Sequence, residues 1–340
     1  MAAKILRAGI LGATGYTALE LIKILLRHPA VQITTLTSRQ KDRPHLSTVH
    51  PTLATRLDLH LEDLEPTAIA ARCDVVFSCL PHAASAEICA PLVAAGARVV
   101  DFSADYRLSS AGLYEKWYEH QHPDPTRLGS TVYGLPELFG SQITPAKLVA
   151  NPGCYPTSAI LALAPLLSAD LIESQDIIVD SKSGVSGAGR TPKLTTHFPE
   201  CNESLVAYGV GQHRHMPEID DVLQRATQRD VSVIFTPHLI PMDRGILTTA
   251  YSVPKRAVTE AELIELLRSF YQGKPFVRVR ETLPATKDVS GTNFCDVTVR
   301  VVRGRIITIS CIDNLIKGAA GAAVQNLNWM YQFDETTALL

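Results

Sequence analysis

Leu6-Arg-Ala-Gly9-Ile-Leu-Gly12-Ala-Thr-Gly15-Tyr16-Thr17 is the stretch whose reading decides the fold. A short apolar strand over 6–11 runs into glycines, and helical spacing follows over 17–27. Strand, glycine turn and helix is the layout of a dinucleotide site, because glycines let the backbone approach a pyrophosphate held at the helix N-terminus. Working outward, a strand over 74–80, a helix over 84–95 and a strand over 98–101 continue the alternation. That pattern predicts a parallel, doubly wound sheet of the Rossmann type. Ligands lie beyond the carboxyl ends of such strands, so Ser78, Leu80, Pro81 and His82 are expected to line a cofactor crevice. His82 itself reads either as part of a nicotinamide loop or as a plain turn residue. The opening Met1-Ala-Ala-Lys-Ile-Leu-Arg7 has too short an apolar run for a signal peptide and reads as the approach to the first strand.

The second strand, over 32–37, ends in Ser38-Arg39-Gln40-Lys41. An NAD site usually places an acid here for the ribose hydroxyls, whereas this chain offers a hydroxyl and cations, which favours NADP. The other reading is a solvated basic loop of Arg39, Lys41 and Arg43.

A second decisive stretch is Asn151-Pro-Gly-Cys154-Tyr-Pro-Thr157, followed by the apolar run to Ala164. A strand end over 147–150 and a proline-marked helix start place Cys154 at the positive end of a buried helix. There the partial charge and unpaired N–H groups favour the thiolate, which is the nucleophile, and the same N–H groups suit an oxyanion on an attacked carbonyl. A small buried cysteine in a turn is the alternative.

Composition narrows the partners. The chain has 340 residues, a formal charge of -2 and 46% hydrophobic residues. Its length suggests about two domains, and the charge supplies no basic field for nucleic acid or an anionic membrane surface. A small-molecule partner is expected, with no nucleic acid and no membrane, since no apolar stretch approaches the roughly 18 residues that span a bilayer. Seven scattered cysteines lack the paired spacing of a zinc site, so no metal is expected and a reducing cytoplasm fits them.

Beyond the cysteine helix the pattern changes. Strands over 176–181, 231–236, 245–253, 276–280, 294–302 and 305–311 follow one another with few helices, which predicts an α+β domain with a mostly antiparallel sheet. The loop Ser183-Gly-Val-Ser186-Gly187-Ala-Gly189-Arg190 reads either as an anion nest ending in a cation or as a flexible surface loop. Gly211-Gln-His213-Arg214-His215-Met-Pro-Glu-Ile219 offers a base and an anion clamp, with Pro217 opening a helix. Arg107, in Phe102-Ser-Ala-Asp-Tyr-Arg107, is a candidate fork for a carboxylate or phosphate. The C-terminal helix that follows Asp313 is expected to pack back on the first domain. The expected division is therefore 1–153 with 313–340 for the cofactor, and 154–312 for catalysis and dimerisation.

Taken together, Gly12-Ala-Thr-Gly15-Tyr16-Thr17, Ser78-Cys-Leu-Pro-His82, the Cys154 stretch, Ser186-Gly-Ala-Gly-Arg190, His213-Arg-His215-Met-Pro-Glu-Ile219 and Asn314-Leu-Ile-Lys-Gly-Ala319 carry a resemblance over nearly the whole chain. The sequence resembles the N-acetyl-gamma-glutamyl-phosphate reductases, the arginine-biosynthesis branch of the aspartate-semialdehyde dehydrogenase superfamily. One departure is Ala18, where that family leads us to expect glycine; it adds a methyl group at the helix start.

The resemblance implies that Cys154 attacks an acyl phosphate, expels inorganic phosphate and leaves a thioester that NADPH reduces, with a histidine moving the proton; between His213 and His215, the start of the helix at Pro217 favours His215. It implies cofactor contacts from Gly12, Thr14, Gly15, Tyr16 and Thr17, from Ser38 and Arg39, from the strand-end residues 78 and 80–82, and from Ser186, Gly187 and Asn314. Substrate contacts are implied for Arg107, Asn151, Ser186, Gly189, Arg190, His213 and Arg214. A homodimer or homotetramer is also implied. Two other readings stand beside this one: a reductase for a carrier-linked aminoadipyl phosphate in lysine biosynthesis, and a catalytically silent NADP-binding regulator. The regulator predicts a lost cysteine or histidine, and neither is missing.

Overall fold

A computed structural model describes residues 5–39, 42–63 and 65–340. Met1 to Lys4 and the Gln40-Lys41 part of the expected basic loop lie outside the described residues. The chain forms two compact units, one ending at Pro152 and regained from Ala319 to Leu340, the other spanning Gly153–Gly318.

The first unit opens with β1 (Leu6–Leu11), α1 (Tyr16–Leu25) and β2 (Val31–Leu36). Short helices α2 (Leu46–Val49) and α3 (Pro66–Arg72) lead to β3 (Val75–Ser78), α4 (Ala84–Ala94), β4 (Arg98–Asp101) and α5 (Ala111–Tyr118). Then come β5 (Val132–Tyr133), α6 (Pro136–Ile143) and β6 (Leu148–Ala150). The six strands lie in the order β2-β1-β3-β4-β6-β5, all parallel. Parallel strands are covered on both faces, and β3 accordingly has all four residues buried. Ala18, Leu21, Ile22 and Leu25 form the buried stripe of α1 at the spacing a 3.6-residue period requires. Fully burying each of the larger members contributes roughly 1.5–3 kcal/mol.

The second unit starts with α7 (Cys154–Ser168) and β7 (Ile177–Gly184). An excursion carrying α8 (Phe198–Cys201) and β8 (Val206–Ala207) leads to α9 (His215–Thr227), β9 (Val233–Ile240) and β10 (Ile246–Ser252). There follow α10 (Glu260–Phe270), β11 (Val277–Val279), α11 (Thr286–Val289), β12 (Cys295–Val302) and β13 (Arg305–Ile312). The seven strands run β11-β12-β13-β10-β7-β9-β8. Most pairings are antiparallel, as expected, but β7–β9 and β11–β12 are parallel. The first of these follows from α9, a crossover helix of the kind that parallel neighbours require.

From Tyr155 to Leu167 every residue of α7 is buried, so this mostly apolar helix is enclosed all round and forms the unit's core. On the opposite face of the sheet, Ile234, Ile178 and Tyr251 are cross-strand neighbours on β9, β7 and β10, and they remain 52%, 43% and 39% exposed. A row of large apolar groups is thus left uncovered.

After β13, Asp313 accepts from the amides of Leu315 and Ile316, and a π-helical turn precedes α12 (Gly321–Tyr331). The regular helix therefore starts later than the sequence suggested. Within the first unit α12 packs on α1 and α6. Asn326 donates to Gly134 O at 2.9 Å, and Asn328 bonds His28 at 3.0 Å.

Candidate active site

In the first unit, β1 and β3 end side by side, Leu11 paired with Ser78, where the strand order reverses between β2 and β3. Open α/β sheets bind ligands at such a switch point. Gly12 follows β1 at φ +71, and a Cβ there would stand 2.8 Å from the Cys79 carbonyl oxygen, so the turn requires glycine. Gly15 caps α1 without any side-chain bond, and a Cβ on it would meet only Thr17 Oγ1 at 4.0 Å. Uncapped helix-start amides beside open space, with half-buried Thr14 in the turn and Tyr16 37% exposed at the first helical position, fit a pyrophosphate. The Thr17 hydroxyl instead bonds Cys79, whose thiol burial pushes far up.

At the end of β2, Ser38 is half-buried and Arg39 exposed. The acid nearest in pairing is Glu62, whose carbonyl accepts from the Ser38 amide while its carboxylate is held by Arg72 at 3.1 Å. This strand end thus offers a hydroxyl and a cation, as a ribose phosphate requires.

The strand-end residues of β3 divide into two kinds. Pro81 and His82 are exposed and Leu80 is buried. Ser78 departs from its expected ligand role, because its fully buried hydroxyl lies 2.7 Å from Ser85 Oγ. Ser85 donates in turn to Asp101 at 2.6 Å, and Ser103 Oγ donates to the same carboxylate at 2.7 Å. Burial, and then the neighbouring Asp105, push the Asp101 carboxyl up to about 6. Ser78 therefore fixes the end of β3.

Arg107 and Asn151 also depart from the expected substrate role. Both are buried; Arg107 Nε donates to Asn151 O at 2.9 Å and Nη2 to Phe102 O at 2.7 Å. The Asn151 amide donates to Ala319 O at 3.0 Å and accepts from Asn326 at 3.1 Å. Backbone carbonyls and the returning C-terminal segment claim these side chains. The sequence offers Arg107 and Asn151 without the partners that engage them.

In the second unit, Cys154 is the first residue of α7, two residues before the helix start that Pro156 suggested, and Gly153 is the cap. The helix dipole therefore favours negative charge at its sulfur. Buried Glu218, in the first turn of α9, accepts from the Gly153 amide at 2.8 Å. That bond ties the loop holding the cysteine to the helix that His215 opens. Gly318 backs the thiol, since a Cβ there would fall 2.8 Å from Cys154 Cβ. Neither Glu218 nor Gly318 has a role in the sequence reading; an acid three residues after His215, at a helix start, is the available signal.

Tyr155 gathers the histidines. Its ring meets His213 at 5.7 Å and His215 at 5.9 Å, and its hydroxyl donates to His238 O at 3.0 Å. Tyr208 donates to the same hydroxyl at 3.1 Å, while burial raises both phenols, Tyr208 to about 12. His213 Nδ1 accepts the His215 amide at 3.1 Å, which leaves the ring proton on Nε2. Burial, and then the Arg214 charge, lower His213 to about 4. It is consequently neutral near pH 7 and a poor proton carrier there.

The remaining expected residues lie on turns of the same unit. Ser186, in the 3-10 turn after β7, donates to Asp243 O at 2.5 Å and accepts from Asn314 at 3.0 Å. Asn314 also accepts the Gly245 amide at 2.7 Å, so Ser186 and Asn314 are brought together, with Gly187 exposed beside them. Gly189, at φ +82, and Arg190 are exposed, as is Arg214 at the cap of α9. No group of three or more potential metal ligands occurs among the described residues.

A glycine turn that suits a nucleotide lies on one unit, and on the other a cysteine opens a helix whose next residue, Tyr155, meets two histidines; these are parts a thiol-dependent oxidoreductase would use. Residues 7–146 match the family model described as semialdehyde dehydrogenase, NAD binding domain, and residues 154–314 the one described as semialdehyde dehydrogenase, dimerisation domain. The chain belongs to the semialdehyde dehydrogenase family. It is 52% identical to the N-acetyl-gamma-glutamyl-phosphate reductase of Rhodopirellula baltica, covering 100% of both chains. It is 50% identical to that of Citrifermentans bemidjiense over 98% of each. Among solved structures, aspartate semialdehyde dehydrogenase II of Vibrio cholerae complexed with ASA superposes with a TM-score of 0.74 at 15% identity, covering 97% of this chain and 99% of that one. The aspartate semialdehyde dehydrogenase of Candida albicans with NADP gives 0.70 at 17% identity, covering 96% and 98%. At such identities the likeness is one of fold.

Proposed function

We propose that this chain reduces N-acetyl-L-glutamyl 5-phosphate to N-acetyl-L-glutamate 5-semialdehyde and inorganic phosphate, with NADPH, in arginine biosynthesis. The observation that carries the reading is Cys154 opening α7 with its loop held by Glu218, in a chain half identical over its full length to relatives of that name. Cys154 Sγ attacks the acyl carbon, the bond from that carbon to the phosphate oxygen breaks, and a thioester remains. First-turn amides of α7 face the developing oxyanion, and Arg190 and Arg214 hold the substrate's anionic groups. Bound NADPH supplies the hydride that the acyl carbon accepts. His215 gives a proton to the oxygen of the resulting hemithioacetal, then takes it back as the C–S bond breaks and the thiolate is released.

Gly12, Gly15, Tyr16 and the exposed Pro81-His82 pair hold the nucleotide, while Ser38 and Arg39 meet its ribose phosphate. The uncovered row of Ile234, Ile178 and Tyr251 suits a second copy of the chain, so the enzyme works as a homodimer or homotetramer. No helix among the described residues is long and apolar enough to cross a membrane, and none of the seven cysteines forms a disulfide, which suits the cytoplasm.

The test is NADP reduction with N-acetylglutamate 5-semialdehyde and phosphate. The reading expects turnover that needs both substrates; turnover only with a longer homologous semialdehyde would contradict it. For the cofactor, Arg39→Asp is expected to weaken NADPH about tenfold or more while NADH changes little, because a charge-assisted bond to the ribose phosphate is replaced by repulsion. Equal weakening of both nucleotides in a binding titration would move Arg39 out of the site.

A further inference from the structure

The turn after His82 is held in a conformation that its sequence does not favour. Ala83 has φ 68 and ψ −33, left-handed backbone that costs an alanine roughly 1–2 kcal/mol and persists only where its surroundings impose it. Ala83 is also the cap of α4, and its own side chain offers no capping bond. The imposed partner lies 22 residues away. Asp105, fully buried, accepts from the Ala83 amide through Oδ1 at 2.8 Å and from the Ala86 amide through Oδ2 at 2.9 Å.

The same carboxylate reaches His82 by a second route. Tyr114 donates its hydroxyl to Asp105 Oδ1 at 2.8 Å. Its ring stacks on Tyr118 with centroids 4.6 Å apart and planes within 8°. Tyr118 then meets the His82 ring edge-on at 5.7 Å. Asp105 is itself anchored, because His122 Nε2 donates to its carbonyl at 2.8 Å while His122 Nδ1 accepts the Asp124 amide at 3.0 Å. One carboxylate thus grips the backbone just after His82 and the aromatic stack against its ring.

We infer that Asp105 is a positioning residue for nucleotide binding, fixing His82 and the Pro81–Ala83 turn at the switch point. The inference rests on the cofactor reading above, which places NADPH against that turn. An asparagine at 105 has one acceptor oxygen where two amides need one each, so the α4 cap and the Ala83 turn cannot both be kept. Glycine at 83 adopts the left-handed backbone without strain and lessens the need for the clamp.

The experiment pairs NADPH titration by fluorescence with thioester formation from N-acetylglutamyl phosphate in the absence of nucleotide. Asp105→Asn is expected to raise the NADPH Kd about tenfold while the acyl adduct forms at the wild-type rate. The double variant Asp105→Asn/Ala83→Gly is expected to recover a substantial part of that affinity. An unchanged Kd, an equal loss of acylation, or no recovery with glycine would overturn the inference. Should Asp105→Asn not fold, Tyr118→Leu removes the ring that stacks on Tyr114 and meets His82, and is read the same way: a several-fold rise in Kd supports the route to His82, and an unchanged Kd overturns it. Should the wild type form no adduct at all, the proposed reaction fails, while the Kd comparison still decides the role of Asp105.

Discussion

Cys154→Ser is expected to lower turnover by on the order of 10⁴-fold or more while leaving NADPH binding intact. A hydroxyl near neutral pH is a far weaker nucleophile than a thiol at the positive end of a helix, and serine replaces sulfur with little change of shape. Helix α7 should remain, since its stability comes from the buried run Tyr155 to Leu167 rather than from its first side chain. The nucleotide cradle at Gly12 and Gly15 belongs to the other compact unit, so its affinity should not follow the loss. Steady-state kinetics and a nucleotide titration on the same preparation check both halves. A serine variant with near-normal rates would remove the thioester from the account.

The second large effect separates the two histidines. His215→Asn is expected to lower kcat by about 10²- to 10⁴-fold, the usual cost of losing an aligned proton carrier, and to remove one limb of the pH–rate profile. His213→Asn should act mainly on KM and leave that limb in place. The reason lies in their environments. With its pKa lowered to about 4, His213 stays neutral across the range in which the enzyme would be assayed, and its Nδ1 is occupied by the His215 amide. The linkage has a definite sign: His213 binds protons more weakly when folded than unfolded, so it lowers stability as pH falls from about 6.5 toward 4. His213→Asn should therefore flatten the stability curve in that acidic window while sparing catalysis at neutral pH. The opposite assignment of kcat and KM effects would exchange the two roles.

Local pattern carried much of this architecture. The apolar run ending at Leu11 and its glycines marked the first strand, the turn and the nucleotide-binding end of the sheet, because a 2-residue and a 3.6-residue period differ over a few residues. The cysteine at a helix start was equally legible, displaced only because Pro156 falls within the first turn of α7 rather than at its first residue. What sequence did not show were partners far apart in the chain. Glu218 meets Gly153 across 65 residues, Asp105 meets Ala83 across 22, and Asn151 meets Ala319 across 168. Such bonds leave no periodicity, so Arg107 and Asn151 read as ligand groups until their buried partners were seen. Ser78 read likewise, although its neighbours Pro81 and His82 kept the exposure a ligand contact needs.

The most direct test of the thiol route is intact-protein mass spectrometry after mixing the enzyme with N-acetylglutamyl 5-phosphate and no nucleotide, with released phosphate measured alongside. The account predicts one N-acetylglutamyl group per chain, mapped to Cys154, formed in step with one equivalent of phosphate and discharged on adding NADPH. Turnover by the complete system without any such adduct, or an adduct on another residue that NADPH discharges, would contradict it.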